Sequence, residues 1–368
     1  MFHPENDSQF PGLSVNKGIE RPPSVNPYLN NNRQFFRKNY SPAEYVEAII
    51  KGNITLLSQA VTMVESSRYE HQQMAQEIIE KCLPYAGKSV RIGITGVPGA
   101  GKSTSIDAFG MHLIKDKGKK LAVLAIDPSS EKTKGSILGD KTRMEDLSRE
   151  KDAFIRPSPA AGSLGGVARK TRETIILCEA AGFDTILVET VGVGQSETAV
   201  HSMVDFFLLI QLAGTGDELQ GIKRGIMEMA DGIIVNKADG DNISKSQLAA
   251  SQFKSALHLF PMPDSGYLPK VLTYSGFYNL GIKEIWLMIE EYVSFTRANN
   301  YFESKRNSQS SYWMYESINE QLKTNFYQNK YVLENLKEKE MKVLKAEISS
   351  FVAAKQILDI YFDNRGKC

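Results

Sequence analysis

Apolar residues change their spacing twice along the chain, and the first pattern is helical. Between residues 41 and 87 they recur every three or four positions, as on one face of a helix. Ser41-Pro42-Ala43-Glu44 has the sequence of a capping box with proline at the first helical position, and Asn53 is a candidate cap for a second helix. A third stripe ends at Cys82. These residues predict a module of three short amphipathic helices.

From Val90 to about residue 295, short β-rich runs alternate with longer helical stretches. Such alternation is typical of a mostly parallel sheet that is flanked by helices, and we predict an α/β domain over residues 88–295. The predicted strands are Val90–Thr95, Leu121–Ile126, Thr185–Thr190, Phe206–Leu212, Gly232–Asn236 and Val271–Thr273.

The two ends of the chain follow other patterns. Residues 1–40 are rich in Asn, Pro and Ser and have few periodic apolar positions, which predicts an extended or disordered arm. After Asn299 the sequence is charged, with apolar positions near helical spacing. We therefore expect four parts: the arm (1–40), the helical module (41–87), the α/β domain (88–295) and a helical extension (296–368).

Composition and charge narrow the class of protein. The 368 residues include 44 Lys and Arg against 43 Asp and Glu, so the basic excess typical of nucleic-acid binders is missing. No apolar run reaches the length of a membrane span, and residues 1–21 do not resemble a secretory leader. Three cysteines without a CxxC pair favour reduced thiols. We expect a cytoplasmic protein that binds neither nucleic acid nor membrane.

The strongest chemical signal is a phosphate-binding loop between a predicted strand and a predicted helix. It fits GxxxxGK[ST], in which glycines allow backbone N–H groups to surround phosphates at a helix N-terminus. Lys102 is predicted to reach the β- and γ-phosphates, and Ser103 to bind Mg²⁺. The predicted nucleotide-binding residues here are Gly96, Val97, Pro98, Gly99, Ala100, Gly101, Lys102, Ser103 and Thr104.

A second signal concerns recognition of the nucleotide's purine base. Asn236-Lys237-Ala238-Asp239 follows a predicted strand and has the NKxD form of guanine-reading segments. The Asp239 carboxylate is expected to accept hydrogen bonds from guanine N1–H and N2–H₂, and the Lys237 stem to pack along the base. Adenine would leave that carboxylate unsatisfied, which costs about 1–3 kcal/mol or more. The substrate predicted from both motifs is GTP.

Carboxylates at other strand ends complete the predicted metal site. Glu189 ends one strand, and Gly192 is placed to offer its N–H to the γ-phosphate. Asp127 ends the strand next to the first, and Asp140 lies in the following segment. Either aspartate can converge on Mg²⁺ or on the attacking water. Lys102, Asp127 and Glu189 are the predicted catalytic residues; Ser103, Asp127, Asp140 and Glu189 are the predicted metal ligands.

Together these runs resemble the MeaB/ArgK family of P-loop GTPases, which includes the methylmalonic aciduria type A proteins. The resemblance spans about residues 40–330 and is carried by GITGVPGAGKST, IDPSS, GSILGDKTRM, ETVGVGQSE, AGTGDELQGIKRGI and VNKAD. It implies a P-loop fold with a helical N-terminal arm and a helical C-terminal dimerisation extension. The family's guanine loop, SALTGEGI, is replaced here by Ser275-Gly276-Phe277-Tyr278-Asn279-Leu280-Gly281-Ile282, in which Ser275 and Gly276 still match.

The resemblance also implies a function. Family members are homodimeric GTPase chaperones of an adenosylcobalamin-dependent mutase, typically methylmalonyl-CoA mutase, and act with a cobalamin adenosyltransferase. It assigns residues 212–223 to an extra switch that contains Asp217 and Lys223. Gln195 is a candidate for orienting the attacking water.

Three alternatives remain open from the residues. One is a nucleotide-dependent kinase, because the ArgK family was historically labelled an arginine/ornithine transport ATPase or kinase. Another is a GTPase that inserts nickel into a metalloenzyme, although such proteins usually carry His- or Cys-rich sites. The third is a scaffold that binds nucleotide as a structural ligand.

Overall fold

The computed structural model describes residues 40–126, 144–158, 164–190, 196–213 and 224–364. Its seven strands are β1 (Val90–Gly96), β2 (Leu121–Ile126), β3 (Ala153–Ser158), β4 (Thr185–Thr190), β5 (Phe206–Leu212), β6 (Gly232–Asn236) and β7 (Lys270–Thr273). They form one sheet in the order β3-β2-β4-β1-β5-β6-β7, and every pair is parallel. The predicted parallel α/β sheet is confirmed.

The helices of the described residues account for most of the remaining chain. They are α1 (Pro42–Ile50), α2 (Ile54–Glu65), α3 (Tyr69–Cys82), α4 (Lys102–Lys117), α5 (Leu164–Ala180), α6 (Ser196–His201), α7 (Arg224–Met229), α8 (Ile243–Leu257), α9 (Ile282–Ala298), α10 (Tyr301–Gln328), α11 (Lys330–Leu344) and α12 (Ser350–Asp363). No helix in these parts of the chain is long and apolar enough to cross a membrane.

Strand β3 is the one described strand that the apolar pattern does not predict. It lies at the edge of the sheet, where it pairs with β2 in register from Leu121↔Ala153 to Ile126↔Ser158. Its sequence, AFIRPS, contains an arginine and a proline and therefore lacks an unbroken apolar run. Proline is tolerated on an edge strand because one side of the strand needs no ladder hydrogen bond.

The N-terminal helices form as the capping residues predict. The Ser41 side chain accepts a hydrogen bond from the Glu44 N–H (3.3 Å), and the Glu44 carboxylate accepts one from the Ser41 N–H (2.8 Å). Asn53 caps α2 through the Leu56 N–H at 3.0 Å. The three helices pack against one another, and α2 and α3 also pack on α5.

An ion pair fastens this helical module to the edge of the sheet. The Arg156 guanidinium on β3 binds the Glu65 carboxylate at the end of α2 and also donates to the Thr62 hydroxyl at 3.2 Å. The Lys170 ammonium on α5 donates to the Glu65 carbonyl at 2.9 Å. Arg156, near the end of β3, is therefore held by the N-terminal helices.

The C-terminal helices divide into a part that packs on the sheet and a part that extends from it. Helix α9 contributes Trp286, Ile289 and Tyr292 to the main apolar core. Farther along, Val332 of α11 packs with Ile357 and Tyr361 of α12 in a separate small core. The predicted helical extension is confirmed, and its distal end has a core of its own.

A guanidinium clamp joins α10 to the amino ends of the central strands. The Arg306 guanidinium donates to both carboxylate oxygens of Asp205 at 2.7 and 2.8 Å and to the carbonyls of Gly87 and Ser89. Gln309 donates to the Val204 carbonyl at 2.8 Å. These contacts fix the first turns of α10 at the sheet edge opposite the strand carboxyl ends.

Candidate nucleotide-binding site

The candidate residues gather at one edge of the sheet because the strands that carry them are parallel. Strand β1 lies between β4 and β5, and β6 is the next strand along. Their carboxyl ends therefore meet at one edge, which is where open α/β sheets bind ligands. The phosphate loop follows β1, Glu189 lies near the end of β4, and Asn236 ends β6.

The phosphate loop requires glycine at two positions that contact neighbouring strands. Gly101 has φ +84°, and a Cβ there would lie 2.6 Å from the Asn236 Nδ2 atom. A Cβ on Gly96 would lie 2.3 Å from the Ile210 carbonyl oxygen at the end of β5. The loop is therefore seated between β5 and Asn236, and α4 begins directly after it at Lys102.

Lys102 is buried and folds back over the loop. Its ammonium donates to the Gly96 carbonyl at 2.8 Å and to the Val97 carbonyl at 3.4 Å. Burial lowers the pKa of Lys102, while the Glu189 and Glu197 carboxylates oppose that shift. The positive charge is thus held at the centre of the loop by its own backbone.

Ser103 and Glu189 meet beside the loop. The Ser103 hydroxyl donates to a Glu189 carboxylate oxygen at 3.3 Å, and Glu189 is only 9% exposed. Just behind them the Thr190 hydroxyl donates to that of Thr95 at 2.9 Å, which joins the ends of β4 and β1. A hydroxyl and a carboxylate in this arrangement are oxygen donors of the kind that suits Mg²⁺.

Asn236 ties the phosphate loop to the predicted guanine-reading residues. Its Nδ2 atom donates to the Ala100 carbonyl at 2.8 Å. Its Oδ1 atom accepts the N–H of Lys237 at 2.7 Å and that of Gly276 at 3.2 Å. One buried amide therefore connects the phosphate loop with the NKAD segment and with the loop that contains Gly276.

The predicted guanine-reading residues form a small hydrogen-bonded unit. The Ser275 hydroxyl donates to the Asp239 carboxylate, and the Ala238 N–H donates to the Tyr274 carbonyl at 2.9 Å. Lys237 is exposed and adopts φ +59°, a left-handed conformation that is uncommon for a residue with a side chain. The structure thus brings Asn236, Asp239 and Ser275 together across two loops.

Some predicted residues lie outside the described part of the chain, and one unpredicted residue joins the site. Asp127, Asp140, Gly192, Gln195, Asp217 and Lys223 all fall in segments that the structure does not describe. Glu197 at the start of α6 is 2% exposed and acts electrostatically on Lys102. The sequence signal for it was its place at the end of the family-like run ETVGVGQSE.

Comparisons with known proteins identify one family of GTPases. The family model described as "Methylmalonyl Co-A mutase-associated GTPase MeaB" matches residues 57–331. A probable GTPase of Mycobacterium tuberculosis is 47% identical over 313 residues, covering 85% of this chain and 93% of that protein. The GTPase ArgK of Escherichia coli is 47% identical over 287 residues, covering 78% and 86%.

Two further comparisons extend to a mitochondrial protein and to a solved structure. The mitochondrial methylmalonic aciduria type A homolog of Mus musculus is 42% identical over 323 residues, covering 85% of this chain and 78% of that protein. A crystal structure described as an LAO/AO transport system kinase has a TM-score of 0.69 and 37% identity, covering 87% of this chain and 97% of that chain.

Fold, phosphate loop and relatives define the class: this protein is a P-loop GTPase that binds and hydrolyses GTP. Within that class, the family match covers well over half of the chain. The chain belongs to the MeaB family of GTPases.

Proposed function

We propose that this GTPase is a chaperone of an adenosylcobalamin-dependent acyl-CoA mutase, methylmalonyl-CoA mutase, and assists the loading, protection or reactivation of its cofactor. The observation that carries the proposal is the family match over residues 57–331, whose description names a methylmalonyl-CoA mutase-associated GTPase. The mitochondrial relative, named for methylmalonic aciduria, supports the same client.

The phosphate end of the site is assigned to Lys102, Ser103 and Glu189. The Lys102 ammonium neutralises the β- and γ-phosphates in place of the two loop carbonyls that it contacts now. The Ser103 hydroxyl and the Glu189 carboxylate would hold Mg²⁺, which would supply positive charge beside the phosphate oxygens. Asp127 and Asp140 remain proposed as further carboxylates at the metal.

The base end is assigned to Asn236, Lys237 and Asp239, with Ser275 and Gly276 behind them. The Ser275 hydroxyl holds the Asp239 carboxylate in place, which leaves its other lone pairs to accept from the guanine edge. The Gly276 N–H is already directed to the Asn236 amide, so the guanine loop and the phosphate loop are positioned together. Selection of GTP over ATP rests on the Asp239 carboxylate, which adenine would leave without its hydrogen bonds.

Hydrolysis is proposed to proceed by in-line attack of water on the γ-phosphate. Little covalent chemistry falls to the protein, because positioning and charge neutralisation supply most of the rate. Lys102 and the loop N–H groups stabilise the charge that develops on the phosphate oxygens. Gln195 is proposed to orient the attacking water, and Asp217 and Lys223 are proposed to connect the nucleotide state to the mutase.

Dimerisation is proposed to use the helical extension. Helix α10 exposes an apolar stripe at helical spacing, in which Met314, Ile318 and Leu322 are about half exposed. Ile318→Arg is expected to produce monomers in size-exclusion chromatography with light scattering, and Asn319→Arg, on the neighbouring exposed position, is the matched control. A dimer of unchanged affinity in Ile318→Arg would contradict this assignment.

The test of the client is a complex and a rate. Purified methylmalonyl-CoA mutase is expected to co-elute with the protein and to accelerate its GTP hydrolysis, and Lys102→Ala is expected to show no accelerated turnover. Cobalamin adenosyltransferase is the next partner to add, since transfer of cofactor to the mutase should then depend on GTP. Absence of both a complex and a rate change would remove the mutase proposal.

The same samples separate the rival functions. A kinase would consume GTP without releasing an equal amount of inorganic phosphate when its acceptor is present. A nickel-inserting GTPase would bind Ni²⁺ stoichiometrically in equilibrium dialysis. Release of one phosphate per GTP without Ni²⁺ binding favours the mutase chaperone.

A further inference from the structure

Strands β1 and β4 are joined by a side-chain contact where their backbone ladder stops. The last backbone pair of this ladder is Ile94↔Glu189, whereas β1 runs on to Gly96 and β4 to Thr190. The next facing pair is Thr95 and Thr190, and their hydroxyls meet at 2.9 Å. The two strand ends are therefore held together by one hydrogen bond between side chains.

This hydrogen bond is shielded from water. Thr95 and Thr190 are 1% and 0% exposed. A buried hydroxyl that loses its partner is unfavourable, because no water replaces the lost hydrogen bond. The two strand ends therefore cannot move apart without leaving both hydroxyls unsatisfied.

Each strand end carries one half of the proposed metal site. Strand β1 continues through the phosphate loop to Ser103 in the first turn of α4, while β4 carries Glu189 itself. The Ser103 hydroxyl and the Glu189 carboxylate meet at 3.3 Å. Successive side chains of a strand point to opposite faces of the sheet, so Thr190 points away from Glu189 and acts on it only through the backbone. The spacing of the strand ends therefore sets the spacing of the two oxygen ligands.

We propose that Thr190 is a positioning residue for GTP hydrolysis, which acts through its hydrogen bond to Thr95. That bond keeps the Glu189 carboxylate at the separation from the Ser103 hydroxyl that a shared Mg²⁺ ion requires. The inference rests on the proposed assignment of Ser103 and Glu189 to Mg²⁺ and is independent of the mutase client. Because Thr190 points away from the site, loss of its hydroxyl should weaken metal binding while the phosphate and base contacts stay in place.

The test measures metal affinity directly with Mn²⁺ as the probe, because oxygen ligands that suit Mg²⁺ also suit Mn²⁺. Mn²⁺ is titrated into the protein–GDP complex, and free Mn²⁺ is followed by electron paramagnetic resonance. Thr190→Val keeps the shape of the side chain and removes its hydroxyl. It should weaken Mn²⁺ binding by about twofold to tenfold, the factor for one hydrogen bond. The affinity for GDP in EDTA, measured by titration calorimetry, should stay within about twofold of the wild-type value.

Further variants separate positioning from a general loss of stability. Thr185→Val is the matched control, because it removes an equally buried hydroxyl at the other end of β4, where that hydroxyl donates to the Asp184 carboxylate at 2.8 Å. It should leave Mn²⁺ affinity unchanged. Thr190→Ser retains the hydroxyl and should restore Mn²⁺ affinity. Thr95→Val should show the same loss as Thr190→Val, and the double variant no more than either, because both hydroxyls act through one bond.

Wild-type Mn²⁺ affinity in Thr190→Val overturns the proposal, as does an equal loss in Thr185→Val or an equal loss of GDP affinity in EDTA. Additive losses in the double variant would also overturn it. Glu189→Gln tests the underlying metal assignment separately, because it should weaken Mn²⁺ binding more than Thr190→Val does. Wild-type Mn²⁺ affinity in Glu189→Gln removes the metal assignment, whereas a loss there with none in Thr190→Val refutes only the positioning role.

Discussion

Replacing Arg306 with alanine is expected to reduce the free energy of unfolding far more than loss of a surface ion pair would. The Asp205 side chain is 1% exposed and that of Arg306 is 12% exposed, so the pair is removed from solvent. Apart from the clamp, the Asp205 carboxylate accepts the backbone N–H of Arg91 at 2.8 Å. Alanine at 306 leaves a buried carboxylate without its counter-charge, which costs about 3–5 kcal/mol.

Urea unfolding at pH 7 measures this cost, and two further variants identify its origin. Arg306→Lys keeps the charge but loses the paired N–H donors, so its loss should be intermediate. Asp205→Asn combined with Arg306→Ala should be more stable than Arg306→Ala alone, because the uncompensated charge is gone. A loss below about 1 kcal/mol in Arg306→Ala, as for an exposed pair, would refute the reasoning.

Three other substitutions test the site and the core. Gly101→Ala should weaken GTP binding at least about tenfold in titration calorimetry, because its Cβ would displace the Asn236 amide. Gly118→Ala is the control: Gly118 also has a positive φ, but a Cβ there would have no neighbour within 4 Å, so the affinity for GTP should be unchanged. Glu189→Gln should lower the GTP hydrolysis rate by about a hundredfold or more while GDP affinity measured in EDTA is retained; equal losses in both would contradict a metal role. Burial, aided by the Lys305 ammonium, lowers the pKa of His201 to about 4. As pH falls from about 6.5 to 4, the unfolded chain therefore binds a proton at His201 that the folded state does not bind. In urea unfolding, the wild type should lose about 2 kcal/mol of its free energy of unfolding between pH 7 and pH 5, and His201→Gln should not show this loss. Equal losses in both proteins would exclude His201 as the cause.

The sheet was largely predictable because its central strands are buried on both faces. Leu121–Ile126 is a continuous apolar run, and the structure has it as a fully buried strand with the predicted bounds. Edge strand β3 was not predicted, because Arg156, which pairs with Glu65 of α2, and Pro157 interrupt its apolar sequence. An edge strand carries polar contacts that depend on tertiary structure, which a local pattern does not contain.

The candidate site shows the same division. The phosphate loop and the NKAD segment are short motifs whose chemistry depends on adjacent residues, and both were predicted. The linking role of Asn236 was not, because its partners Ala100 and Gly276 are far away in sequence and meet it only in the folded sheet. Likewise, the sequence shows Arg306 only as a charged residue on a polar helix, and its contact with Asp205 is visible only in the folded protein.

The clamp on α10 also determines where the chain can be shortened. Beyond Arg306 and Gln309, the Trp313 indole donates to the Ser202 carbonyl at 3.0 Å, and the Ser310 hydroxyl accepts from Arg172 at 3.0 Å. A stop codon at the end of α9 would remove all of these α10 side chains and expose the amino ends of the central strands. A monomeric GTPase should therefore end within α10, past Trp313, at a point where no helix boundary marks the limit.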